Sequence, residues 1–175
     1  MRINTIFFCS LLGVVYVLCP ILIMIFAKDD KKSRLLKNLI LSSFLVLLMI
    51  GIIADIDFTK DKIYIGFDFS AGFFNKSIIL SFSSFKTDIY LNLLMLIPVG
   101  QFLFLFVYDK LKFKGIIYAL LIGLCIGCII ELLQFVLPVM RMVQLQDVLL
   151  NGVSCVLGYV FMMIIYYIFN LIRKK

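Results

Sequence analysis

From Ile3 to Ala27 this chain runs twenty-five residues without a charge, and from Val148 to Ile172 it does so again. An α-helix needs only about 20 apolar residues to cross the hydrocarbon core of a bilayer. Backbone N–H and C=O groups in lipid must be satisfied internally, so such runs are read as helices. Five spans are expected, at about residues 3–27, 37–54, 88–108, 115–137 and 148–172. The 175 residues are 64% hydrophobic, with a mean hydropathy of +1.16. The expected fold class is therefore an all-α, five-helix transmembrane bundle forming one polytopic domain over 1–175. The first run has Arg2 before it and lysines after it, and it is too long for a cleaved signal peptide. It is read as a retained span.

The net charge is +7. In a membrane chain such an excess marks cytoplasmic loops, so no nucleic-acid partner is implied. Basic residues cluster at Lys28, Lys31, Lys32, Arg34 and Lys37, at Lys110, Lys112 and Lys114, and at Arg173, Lys174 and Lys175. An outside N-terminus puts these eleven of the seventeen Lys and Arg residues in the cytoplasm. The expected topology is accordingly N-out and C-in, in a bacterial cell membrane.

The chain has no histidine, which removes histidine acid/base chemistry and histidine metal sites. No metal or other cofactor is expected. The five cysteines all lie in apolar runs, and Cys125 and Cys128 form a lone C-x-x-C. They are read as buried small hydrophobes.

Between the second and third spans, Ile63, Ile65, Phe67 and Phe69 alternate with Tyr64, Gly66 and Asp68. A second apolar run covers Ser77–Phe85, with turn-prone residues between the two. A short extracytoplasmic hairpin fits this pattern, as does a segment lying in the interface.

Polar residues inside the apolar spans carry the functional argument, because an ionisable group there costs about 2.5–3.5 kcal/mol on insertion scales. Asp88 and Asn92 sit at i,i+4 at the start of the third span. Glu131 and Gln134 lie near the end of the fourth, with Glu131 about 9 Å inside the boundary at 1.5 Å per residue. Arg141 follows Pro138 in the short connection, and Asp147 and Asn151 open the fifth span at i,i+4. The alternating topology brings all seven to one leaflet. Gly123 and Gly127 form a small-xxx-small ridge that Glu131 continues, and Asp147, Asn151, Ser154 and Gly158 form a matching stripe. Small residues let helices approach closely, so Glu131 is expected to face the bundle interior.

Each of these residues also has a purely structural reading. Asp88 and Asp147 fit first-turn acids that favour the helix dipole. Asn92 and Asn151 fit interhelical hydrogen bonding. Glu131 with Arg141 fits an ion pair, and Pro98 with Gly100 fits a kink.

At these residues the chain resembles the VanZ-like family of bacterial membrane proteins. The resemblance rests on Asn92-x5-Pro98-x-Gly100, on Glu131-x-x-Gln134 followed by Arg141, on Asp147-x-x-x-Asn151, and on Gly158-Tyr159. It covers about residues 88–159. The chain departs from the family pattern at Gln144 and Gln146, where aspartates are frequent, and at Ser154, where a glycine is frequent. The resemblance implies an association with teicoplanin resistance and carries no defined reaction.

Three functions follow as expectations. The first is an outer-leaflet polar pocket that binds a membrane lipid, or a lipid-linked wall precursor or polymer, through Asp88, Asn92, Glu131, Gln134, Arg141, Asp147 and Asn151. The second is an intramembrane enzyme using Glu131 as general acid or base, with Asp147 as second carboxylate. The third is an accessory subunit with a protein partner in the membrane. No nucleophilic Ser or Cys paired with a base, and no phosphate-cradling motif, is present in the sequence.

Overall fold

The computed structural model describes residues 86–137 and 143–173, short strands at 2–4, 55–58, 62–66 and 78–79, and isolated helical positions at 18, 21–22, 40–41, 44–45 and 48. Four α-helices organise the described part. They are α1 (Lys86–Met95), α2 (Ile97–Leu111), α3 (Gly115–Val136) and α4 (Leu145–Arg173). A 3₁₀ turn at Lys112–Lys114 joins α2 to α3.

Two helical stretches, Lys112–Val136 and Leu145–Ile172, are long and apolar enough to cross a membrane. The span expected at 88–108 is broken. α1 ends at Met95, Leu96 forms a turn, and α2 restarts with Pro98 in its first turn. Proline suits that position because its missing N–H would be unpaired there anyway. At the break the Leu96 N–H donates to Ser154 Oγ at 3.0 Å. The helix end at Leu137 also follows from local chemistry. Its extended backbone (φ −73°, ψ 148°) is the conformation a following proline favours. The expected spans at 3–27 and 37–54 lie almost wholly outside the described residues. Within the second, Ile40 is buried, and Phe44 and Leu48 pack against the helical core.

α4 lies between its neighbours, and glycines set the contacts. A Cβ at Gly123 would lie 2.7 Å from Cys155 Cβ and 2.8 Å from the Asn151 carbonyl oxygen. One at Gly127 would lie 3.1 Å from both Val148 Cα and Asn151 Cβ. Gly115 abuts the Tyr159 ring. These contacts run in opposite directions along the two chains, so α3 and α4 are antiparallel. Across the other face, Gly100 abuts the backbone of Cys155 and Tyr159, and Gly158 abuts the carbonyl of Ile97. With Leu96 on Ser154, these contacts advance together, so α2 and α4 are parallel.

The buried face of α3 is Gly115, Ala119, Gly123, Gly127, Ile130, Glu131 and Gln134, while Ile117, Leu121, Ile129 and Leu132 are exposed. Small residues inside and large apolar residues outside suit a helix whose outer solvent is lipid. Cys125 and Cys128 fall on that outward face and are exposed, whereas Cys155 is buried. The reading of the C-x-x-C pair as buried is thereby corrected. The four-residue glycine stripe takes the inner face, and neither cysteine lies on it. Cys9 and Cys19 lie outside the described residues.

The strands pair differently from the hairpin expected between 63–69 and 77–85. Strands β1 (Arg2–Asn4), β2 (Asp55–Phe58) and β3 (Lys62–Gly66) form an antiparallel sheet in the order β1-β3-β2. Tyr64 stands opposite both Arg2 and Asp57. β4 (Ile78–Ile79) instead pairs in parallel with β5 (Val143–Gln144), directly before α4.

Candidate functional site

Five of the seven candidate residues have described side chains, and all five are buried: Asn92, Glu131, Gln134, Asp147 and Asn151. Asp88 lies in the first turn of α1. Arg141 lies outside the described residues. Asp147 occupies the first turn of α4, where the exposed N–H groups of a helix start favour a negative charge.

The helix contacts fix the levels of these groups. Gly127 stands against Val148 and Asn151. Glu131 is one turn further along α3, and its Oε2 accepts the backbone N–H of Gln144 at 2.8 Å. The carboxylate therefore ties the end of α3 to the strand that leads into α4. It lies on the buried stripe, as its place in the i,i+4 series with Gly123 and Gly127 implies.

On the other side, Leu96 meets Ser154. Asn92 is one turn before Leu96, and Asn151 is nearly one turn before Ser154. Both asparagines thus lie within about one turn of the Leu96–Ser154 contact along their own helices. Asp88 and Asp147 lie four residues earlier on each helix. Three helices thus bring carboxamides and carboxylates to one end of the bundle. The basic 3₁₀ turn at Lys112–Lys114 is at the other end, about 24 Å from Glu131 along α3 at 1.5 Å per residue.

Hydrogen bonding is uneven in this cluster. Asn151 has no exposed surface, yet among the described residues neither its Nδ2 nor its Oδ1 has a hydrogen-bond partner. Asn92 Nδ2 and Gln144 Oε1 are also buried without one. Each such group costs about 1–3 kcal/mol, because its hydrogen bonds to water are given up and not replaced. Buried polar groups are satisfied in the great majority of cases, so these unpaired atoms call for a partner beyond the described residues.

Four buried polar residues were not among the candidates read from sequence: Gln101, Gln144, Gln146 and Ser154. Gln101 had a visible signal, as a lone carboxamide in the apolar run Ile97–Val107. Gln144 and Gln146 had weaker ones, because a connection between spans carries polar residues for many reasons. Ser154 was read as a small packing residue, and its hydroxyl also serves the helix break. Among the described residues, no three His, Cys, Asp or Glu side chains group as a metal site.

No curated protein and no solved structure matches this chain. A protein-family comparison does match, over residues 11–169, which extends the resemblance well beyond the 88–159 core into the first two expected spans. Gly100, Glu131, Asn151 and Gly158 hold the helix contacts and the buried cluster together, they fall inside that match, and the chain belongs to the VanZ/LLP1 family.

Proposed function

We propose that the buried polar cluster is a head-group site at the outer leaflet of a bacterial cell membrane. Its ligand is a lipid-linked or anionic component of the cell envelope. Through this binding the protein modulates the cell surface and raises tolerance to glycopeptide antibiotics of the teicoplanin type. The carrying observation is Asn151, wholly buried with both carboxamide atoms unpartnered among the described residues, as is the Nδ2 of Asn92. In this reading Arg141 meets the anionic group at the edge of the site through a bidentate contact. Gln134 and the two asparagines supply neutral hydrogen bonds. Glu131 is committed to positioning, since one of its oxygens holds the Gln144 backbone.

The orientation belongs to the same reading. With N-out and C-in topology the basic turn at Lys110–Lys114 faces the cytoplasm, and the cluster lies at the outer face, where lipid-linked wall precursors expose their head groups.

The test is teicoplanin susceptibility at matched membrane levels of protein. Glu131→Ala, Arg141→Ala and Asp147→Ala are compared with a loop variant carrying Ser at Phe67, Phe69, Phe73 and Phe74. Loss of tolerance in the pocket variants supports the proposal. Full tolerance in all three, with loss in the loop variant, would move the interaction surface to the loop.

A further inference from the structure

We propose that Asn92 and Asn151 form a deep subsite for a neutral polar group that both donates and accepts hydrogen bonds, such as the amide of an acylamino substituent or an alcohol. This deepens the head-group reading above and rests on it. The unpartnered atoms themselves define the complement. Asn151 offers a carbonyl oxygen and an amide nitrogen, and Asn92 offers an amide nitrogen. Exchanging N and O within the Asn151 carboxamide changes nothing, because both of its atoms are unpartnered. A phosphate or carboxylate would give the Asn151 carbonyl no donor. A cation would give the two nitrogens no acceptor. An amide or a hydroxyl serves both.

The neighbouring acids point the same way. Glu131 and Asp147 are buried one turn away along α3 and α4, and carboxylate oxygens give an anion no hydrogen-bond donor. An anionic part of the ligand is therefore kept away from this subsite, which takes the neutral part.

Asn151 has no exposed surface, so a ligand reaches it only through a rearrangement of the helices packed around it.

The test uses the full chain in nanodiscs, with empty nanodiscs as the blank. Calorimetry follows the binding of four short-chain probes below their micelle concentrations: hexyl β-glucoside, its 2-acetamido-2-deoxy and 2-ammonio-2-deoxy analogues, and hexyl phosphate. At least one of the two neutral probes is expected to bind about tenfold tighter than either charged probe, and Asn151→Leu should remove that preference. Comparing the acetamido and hydroxyl probes tells the two sources of the neutral group apart. Asn151→Asp should turn the preference toward the ammonio probe, and it serves if the leucine variant fails to fold. A charged probe binding tightest to wild type overturns the inference. So does a neutral preference that survives Asn151→Leu. So does an absence of neutral binding, which would make the asparagines interhelical or water-bridging groups only. Loss of teicoplanin tolerance in Arg141→Ala without any neutral preference would sink this inference alone. Unchanged tolerance in every pocket variant would instead sink the head-group reading.

Discussion

Glu131 Oε2 and the Gln144 N–H lie 2.8 Å apart and close the gap between the end of α3 and the start of α4. The contact spans thirteen residues of chain and is buried. It holds the last turns of α3 against the strand that leads into α4.

Removing this acceptor should be costly. Glu131→Ala leaves a buried backbone donor unpaired, and a loss of about 1.5–3 kcal/mol is expected for a hydrogen bond to a charged group. Glu131→Gln keeps an oxygen in place and should lose about 1 kcal/mol or less. Denaturation of both variants in one detergent checks the order. Equal loss in the two would mean that the charge, and not the Gln144 contact, holds the segment.

The Gly100–Gly158 contact makes a sharper prediction. An added Cβ at either position collides with backbone of the facing helix and not with a flexible side chain. Gly100→Ala and Gly158→Ala are each expected to cost about 3 kcal/mol or more, the upper part of the overpacking range. Gly152→Ala should cost less, because its nearest neighbours are side-chain carbons of Leu124 and Leu120 and not backbone. Recovery of monodisperse protein after a heat step gives the ranking. A Gly152 variant faring worse than the other two would contradict it.

Much of this packing was legible in the residues themselves. Gly123, Gly127 and Glu131 recur every four positions, and so do Asp147 and Asn151, so each set marks one helix face before any partner is known. Pro98 with Gly100 was legible as a kink in one span, whereas the structure ends one helix at Met95 and starts another at Ile97. The role of Gly100 was not legible, because a glycine two residues after a proline reads equally as part of a kink. Strand pairing was not legible either. Ile78–Ile79 pairs with Val143–Gln144, a choice that depends on where helices α3 and α4 deliver the second segment. Cys125 and Cys128 show a further limit. Composition marks an apolar helix but not which of its faces is turned to the protein. The two unpartnered asparagines were visible only as polar residues in apolar spans, since partnership is a property of the folded neighbours.

Tyr159 joins the family-like Gly158-Tyr159 pair to the opposite end of the bundle. Its hydroxyl donates to the Lys112 carbonyl at 2.6 Å, and its ring meets Phe104 edge-on at 5.4 Å. Lys112 has a φ of 46°, a conformation that costs a side-chain-bearing residue about 1–3 kcal/mol. The hydrogen bond helps to hold it there. Tyr159→Phe should lose about 1 kcal/mol. Lys112→Gly should be neutral or stabilising, because glycine adopts this φ freely. The two changes touch one contact, so a double-mutant cycle should show about 0.5 kcal/mol of coupling or more. Strict additivity would separate the hydroxyl from the backbone strain.

The proposed orientation can be tested without any ligand. Eleven of seventeen basic residues face the cytoplasm if the N-terminus is outside, which is the arrangement the positive-inside rule favours. Arg2–Asn4 pairs with Lys62–Gly66, and Ile78–Ile79 pairs with Val143–Gln144. Each pairing joins segments that this topology assigns to the same side. Single cysteines at Lys31, Ser83 and Phe113, each in a variant whose native cysteines are removed, report the sides directly. Only the Ser83 position should react with a membrane-impermeant maleimide in intact cells, and the other two should react after permeabilisation. Labelling at Lys31 and Phe113 from outside, with Ser83 protected, would invert the topology and put the polar cluster at the cytoplasmic leaflet, where the envelope head group proposed for it is not exposed.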